Sequence, residues 1–258
     1  MTPGSISLPV AAVDILWEQL RLGGPVFPFE IPHHGRTYEE RARIRAAVLA
    51  DLESRRLAHR GRVEPEVEDA LTLLARSRSA VSAIALLDTT SERKLLARAG
   101  ATGERAVLAV LDERALRLDR LRAVDLVAAV VGLLPKVPAG AGHSVTISPA
   151  VDMPRPAHEN LMRGGAPRRA SHAAQLGVAQ EIMRRPRLRV GQFAAYAMDR
   201  NGHVLRSPEL AWFDVESGRY VILSTRARDG HDWVTIAPAG SRQIARQLGE
   251  MLAAVSPK

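Results

Sequence analysis

The sequence predicts an α+β fold: one continuous antiparallel sheet with helices packed on it, built on an internal duplication. Three observations carry this. Val190–Val255 has the pattern of four strands followed by a helix, and Ser79–Leu134 has the same order. Each block also follows a helical segment, Pro65–Ala75 before the first and Ser171–Met183 before the second. Two such sheets gain most by joining edges into one continuous sheet, because an unpaired edge strand is open to non-native pairing.

From the N-terminus, Val13, Leu16, Trp17 and Leu20 fall at i, i+3, i+4 and i+7 and predict an amphipathic helix over Val10–Leu22, ended by Gly23-Gly24-Pro25. Val26–Ile31 is a short strand candidate bounded by Pro32. Thr37 with Glu40 three residues on has the form of a capping box, so a helix should start at Tyr38 and turn Ile44, Val48 and Leu52 to one face. Gly61 breaks the chain, Pro65 stands where a first helical turn tolerates proline, and the helix that follows buries Val67, Leu71 and Leu74. Strands are expected at Ser79–Leu87, Lys94–Ala99, Glu104–Leu111 and Ala115–Leu121, then a helix, apolar on most sides, at Ala123–Leu134. Pro135–Pro167 is rich in Pro and Gly and carries one strand candidate, His143–Ile147.

The second block opens with the strand Val190–Met198 and Asn201-Gly202, a hairpin signal because a type I′ turn needs positive φ at both central residues. A strand from Val204 to Phe213 should be interrupted near Ser207-Pro208, since proline donates nothing to a ladder and implies an edge or a bulge. Ser217-Gly218 and Asp229-Gly230 turn the chain into Arg219–Ser224 and Trp233–Ala237. Ser241 is the expected cap of a last helix, whose apolar face is Ile244, Leu248, Met251, Leu252 and Val255. The whole of 1–258 is expected to be one unit, with an N-terminal half 1–134, a connection 135–167 and a C-terminal half 168–258.

Composition excludes several chemistries. With no cysteine there is no disulfide, thiolate metal site or cysteine nucleophile, which suits a reducing cytoplasm. Asp14 and Glu18 interrupt the first apolar stretch, so no signal peptide is expected, and Val124–Leu134 falls far short of the ~20 residues that cross a bilayer. The net charge of +8 concentrates in Arg163–Arg189, which has seven arginines against one acid. No aromatic residue interleaves with them to stack on bases, so a solvated surface is the plainer reading. The alternative is a basic nucleic-acid-associated protein that uses this stretch.

No catalytic or metal constellation emerges. His33-His34 and His231-Asp232 are adjacent pairs, expected to point apart, without the i, i+4 partner of a helical zinc site. His158-Glu159 lies in the Pro/Gly-rich connection, and Ser91-Glu92-Arg93-Lys94 matches S-x-x-K only in a strand connection. Gly164-Gly165-Ala166-Pro167 is no phosphate cradle, because Pro167 has no amide to offer. No cofactor and no enzymatic activity are expected. On the second meander Gln192, Ala194, Tyr196 and Met198 share one face and Phe193 and Ala195 the other, while Trp212 and Phe213 face opposite ways. If helices cover one face fully and the other only in part, the second offers an apolar surface to a protein partner.

Several segments together resemble the EspG family, the ESX secretion-associated chaperones of actinobacterial type VII secretion. They are Val13-Asp14-Ile15-Leu16-Trp17-Glu18, Gly35-Arg36-Thr37-Tyr38-Glu39-Glu40-Arg41, the Glu66–Leu74 helix, Gly191-Gln192-Phe193, Trp212-Phe213-Asp214 with Gly218-Arg219-Tyr220, and Asp229-Gly230 leading to Trp233-Val234-Thr235-Ile236-Ala237-Pro238. The resemblance implies an EspG-like α+β fold: a central antiparallel sheet with flanking helical bundles and a quasi-two-fold internal duplication. It also implies a cytoplasmic protein that holds the hydrophobic tip of a PE–PPE-like heterodimer, or another helical secretion substrate, for its type VII machinery, without inserting in a membrane. The recognition surface it implies comprises a loop, here Asp88–Lys94 or Ala99–Glu104, the second meander, and the helices Ser171–Met183 and Ser241–Val255. On those elements the expected client contacts are Tyr196, Met198, Leu205, Trp212, Met183, Leu248 and Met251.

Overall fold

A computed structural model describes residues 5–91, 93–147, 177–226 and 232–256. Its frame is a single antiparallel sheet. The first block supplies β4 (Ser79–Asp88), β5 (Arg93–Thr102), β6 (Arg105–Leu111) and β7 (Ala115–Arg122). The second supplies β9 (Arg189–Met198), β10 (Val204–Arg206), β11 (Leu210–Val215), β12 (Gly218–Arg226) and β13 (Asp232–Pro238). With β1 (Ile6–Pro9) and β8 (Val145–Ile147) at the edges, the order is β1-β7-β6-β5-β4-β9-β11-β12-β13-β8, and β10 pairs β9 beside β11. Each half reads outward from the middle in its own chain order, as a duplication about a central axis requires. The halves join at β4 and β9, paired antiparallel from Ser79↔Ala197 to Leu86↔Val190.

Helices cover the two faces unequally. On the front face α1 (Val10–Gln19), α2 (Tyr38–Ser54) and α3 (Pro65–Ala75) pack over β6 and β7, where Val107, Ala109, Leu116 and Leu118 meet Leu16, Leu52 and Leu71. At the far end of the same face α5, residues 177–184, sets Ala179 and Ile182 on Phe213, Tyr220 and Ile236. The back face is closed at its centre by α4 (Leu126–Val131) and α6 (Ser241–Val255), whose Val130, Ile244 and Leu248 lie on Ala83, Ala97, Phe193 and Trp212. Alanines on β4 and β5 leave room for helices to sit close to the strands.

Local chemistry sets several boundaries, and it corrects some expectations. Val26–Ile31 is no strand: Pro28 removes an amide from its middle, and the Phe29 amide instead donates to the Val26 carbonyl in a turn. Thr37 does cap α2 by accepting from the Glu40 amide, but the Glu40 carboxylate reaches the Arg36 amide, one residue beyond the expected partner. A two-residue-strand hairpin, β2 (Ala58–His59) with β3 (Arg62–Val63), precedes α3. The Ala123–Leu134 helix is shorter than expected; a 3-10 turn at Ala123–Asp125 leads into α4, and Val124 is exposed. At Asn201-Gly202 only Gly202 has positive φ, because the Asp199 carboxylate accepts from the Asn201 and His203 amides and builds a wider loop than a type I′ turn. Pro208 does interrupt the strand: Ser207 bridges the gap between β10 and β11 with a hydroxyl that accepts from the Ala195 amide (3.0 Å). Gly240 rather than Ser241 precedes α6, and its amide donates to the Gln243 side chain. The Asp229-Gly230 turn, the start of Ser171–Met183 and most of Pro135–Pro167 lie outside the described residues.

Two charged knots tie elements together. Asp214 on β11 and Arg219 on β12 form a fully buried pair (Nε to Oδ1 2.6 Å, Nη2 to Oδ2 2.9 Å), and Arg219 also donates to the Pro135 carbonyl, anchoring the chain that leaves the first half. Asp214→Ala strands a buried guanidinium and is expected to cost about 3–5 kcal/mol; urea unfolding of the variant measures it. In the N-terminal helices Arg41 holds Asp14 (2.9 Å) and Glu18, and Asp14 also accepts from the His34 amide (2.8 Å). Both imidazoles of His33-His34 approach Asp14 (3.6 and 3.3 Å), so the pair converges where it was expected to diverge. Burial opposes ionisation of Asp14, but the Arg41 bond and the His34 amide outweigh it and hold the carboxyl below its ordinary value. A lowered folded-state pKa gives stability that is present above the unfolded value of about 3.9 and lost as pH falls through the folded one. The urea midpoint of Asp14→Asn should therefore lie below wild type at pH 6, with the gap closing at pH 3.

Candidate docking site

Among the described residues, the unequal covering of the sheet leaves a trough on the front face, along the line where the halves join. Side chains that project forward there pair across the seam as Leu86 with Val190, Ile84 with Gln192, Ser82 with Ala194 and Ala80 with Tyr196. At the first two rungs a hollow of about 420 Å³ is lined by Ile84, Leu86, Lys94, Val190 and Gln192, with Val190 also packing against the cluster under α5. It is apolar with a polar fringe, the composition of a protein-docking surface rather than a polar reaction site. At its rim Leu188 is exposed, and the Thr89 hydroxyl donates to the Arg187 carbonyl (2.8 Å), tying the β4–β5 turn to the strand that enters from α5. Asp88 shapes that turn by accepting from the Thr90 amide and hydroxyl, bonds that lower its carboxyl to about 2.

At the other end the trough is roofed by the loop from Gly23 to Pro32. The Phe27 ring, 46% exposed, sits 6.4 Å from that of Tyr196, and the Phe27 carbonyl accepts from Arg98 Nη1 (3.1 Å). Arg98 projects forward from β5 and lies 4.8 Å from the Tyr196 ring, while Arg206 on β10 reaches both rings.

The seven expected contacts do not form one surface. Tyr196 and Met198 face forward, with Tyr196 only 8% exposed beneath the Phe27 loop, and Met183 is exposed on α5 on the same side. Trp212 projects from the back of the sheet and Leu248 faces it from α6; at 2% and 0% exposed, both lie in the core between the sheet and the α4 and α6 helices, so neither is available to a partner in this conformation. The reason lies in the register, since Trp212 pairs with Gly191 and its indole occupies the space a side chain there would fill. Met251 is half-buried on α6 and Leu205 is exposed on β10, both on the back. The loop contact changes too: Ala99–Glu104 is mostly β5, with a tight turn at Gly103, which leaves the short β4–β5 turn as the loop beside the trough.

Sequence reasoning missed Ile84, Leu86, Arg98 and Phe27. Arg98 had a legible signal, a charge on an inward position of an apolar alternating strand. In the basic stretch, Arg185 donates to Ser217, Arg187 lies 5.1 Å from the Phe213 ring and Arg189 is 3.5 Å from Asp214, so these three pin α5 and β9 in place rather than forming a free cationic face. Residues 163–176 lie outside the described residues. Among the described residues no cluster of His, Asp or Glu is arranged to hold a metal ion, and no helix is long and apolar enough to cross a membrane.

The class this fold defines is a doubled α+β scaffold whose two halves share one antiparallel sheet, with an apolar hollow where they join. The particular family is given by sequence: the family model described as EspG family matches residues 9–250, and the chain belongs to that family. Among solved structures the fold is similar to that of the Mycobacterium tuberculosis type VII secretion system chaperone EspG5, solved in complex with a PE25-PPE41 dimer. The two share 17% identity with a TM-score of 0.65, over 98% of this chain and 97% of that one. No curated protein matches the sequence significantly.

The seam depends on Gly191, where a Cβ would stand 2.7 Å from the Ala85 Cβ and 2.8 Å from Trp212 Nε1. Gly191→Ala is expected to lower stability by about 1–3 kcal/mol through overpacking, measured by urea unfolding.

Proposed function

We propose that this protein is a cytoplasmic, substrate-specific chaperone of a type VII (ESX) secretion system, which holds a helical PE–PPE-like heterodimer by covering its hydrophobic tip. The observation that carries the reading is the family match over 9–250, together with a similar fold over nearly the whole length of a chaperone solved with such a dimer. The trough supports it physically. A stoichiometric holder needs an apolar surface with a polar fringe and a rigid floor, and here the floor is fixed by ladder hydrogen bonds on both sides of β4 and β9. The residues we assign to client contact are Ile84, Leu86, Gln192 and Met198 on the front face, with Met183 at the α5 rim and Tyr196 buried beneath Phe27 as the support of that loop. The chain 1–258 then acts as one unit, its halves 1–134 and 168–258 both flooring the site and 135–167 linking them.

On this reading the protein changes no covalent bond, and release follows from competition by the secretion machinery. A complex of ordinary size buries ~1,200–2,000 Å², more than the hollow alone, so the contact extends along the front face. Co-production with a PE–PPE pair encoded in the same genome tests the reading. Wild type should co-purify at one chaperone per heterodimer, Ile84→Glu and Gln192→Arg should each weaken capture at least about tenfold as central contacts do, and Met251→Glu on the back should not. Capture unchanged by both seam variants, or lost only with Met251→Glu, contradicts it.

A further inference from the structure

Arg98 is the one described arginine that combines burial, 8% exposed, with the lack of any carboxylate within ion-pair distance. The contrast with Arg219 is direct, because Arg219 is more fully enclosed but is held by both oxygens of Asp214. The Arg98 guanidinium gives Nη1 to the Phe27 carbonyl and lies against the Tyr196 ring, while its Nε is buried without a partner. Burial lowers its proton affinity, with the Tyr196 hydroxyl group acting in the opposite direction. The unfilled part of the fork is its Nε–Nη2 edge, which matches the two oxygens of a carboxylate. Beside it stands an exposed aromatic residue, Phe27, whose carbonyl the guanidinium holds. A buried cation beneath an apolar rim fits an acidic side chain that stands beside an apolar one.

Resting on the docking role proposed above, we propose that Arg98 is a specificity-determining contact that receives a carboxylate from an acidic side chain of the bound protein partner. Docking moves the Phe27 ring aside and completes the ion pair. In the free protein the unpaired charge is a standing cost, kept because the partner needs it. Natural binding surfaces hold such destabilising groups, and replacing an uncompensated buried charge by an apolar side chain of similar size is commonly neutral or stabilising.

The test separates this role from a structural one. Arg98→Met should leave the thermal midpoint equal to wild type or raise it, yet weaken binding of the co-produced PE–PPE heterodimer roughly tenfold or more, as loss of one partner of a desolvated charge pair does. Arg98→Lys, which keeps the charge but not the fork, should restore only part of the affinity. Undiminished affinity in Arg98→Met, or a lowered midpoint, overturns the proposal. A second arm does not depend on the heterodimer. In protein labelled with ¹⁵N at arginine Nε, the Arg98 signal should move downfield on addition of the blocked peptide acetyl-Leu-Glu-Leu-amide and stay in place with its Gln twin. Equal shifts with both peptides, or none, reject the carboxylate site. If the peptide arm succeeds while wild type captures no heterodimer, the docking role fails and the anion site stands.

Discussion

The antiparallel ladder between β4 and β9 is the constraint on which the rest of the structure depends. It joins two strand-and-helix modules whose inner edges would otherwise lie open, and it runs from Ser79↔Ala197 to Leu86↔Val190 with a partner strand on either side. Both central strands are therefore locked by hydrogen bonds along both edges. Small residues behind the seam, Ala83, Ala85 and Gly191, let Trp212 and α6 close the back tightly. With the back sealed, the modules place their remaining described helices at the two outer ends of the front, and among the described residues the trough is what lies between. The trough is thus a geometric consequence of how the halves meet.

Charge is used in two different ways around this frame. Asp214 with Arg219, and Asp14 with Arg41, satisfy each other and bind loops to the scaffold, the first by way of the Pro135 carbonyl and the second by way of the His34 backbone. Arg98 ties the Phe27 loop through one nitrogen only and carries no counter-charge. The first two arrangements serve folding. The third lies at the roofed end of the trough, on the rungs next to Ile84 and Gln192.

The elements were largely legible because their signals are local. Alternation marked the strands, Pro65 and Thr37 marked helix starts, and Pro208 marked the break that Ser207 bridges. The repeated order of elements was enough to foresee one joined sheet. The site was less legible. Alternation separates the two faces of a strand but does not say which face a helix will cover, so Trp212 and Leu248 read as well for a surface as for a core. Only the pairing of Trp212 with Gly191 and the placement of α6 decide it. The Asn201 backbone and the strand expected at Val26–Ile31 failed for a related reason: Asp199 and Pro28 impose their own hydrogen-bonding demands on short segments.

The account stands most directly on whether a partner lies against the seam. A photo-crosslinking amino acid placed at Gln192, in protein co-produced with a PE–PPE pair from the same genome, reads this contact. The account predicts a covalent adduct to the heterodimer from position 192 and none from Val124, which is exposed on the opposite side near α4. An adduct from Val124 with none from position 192 would contradict it.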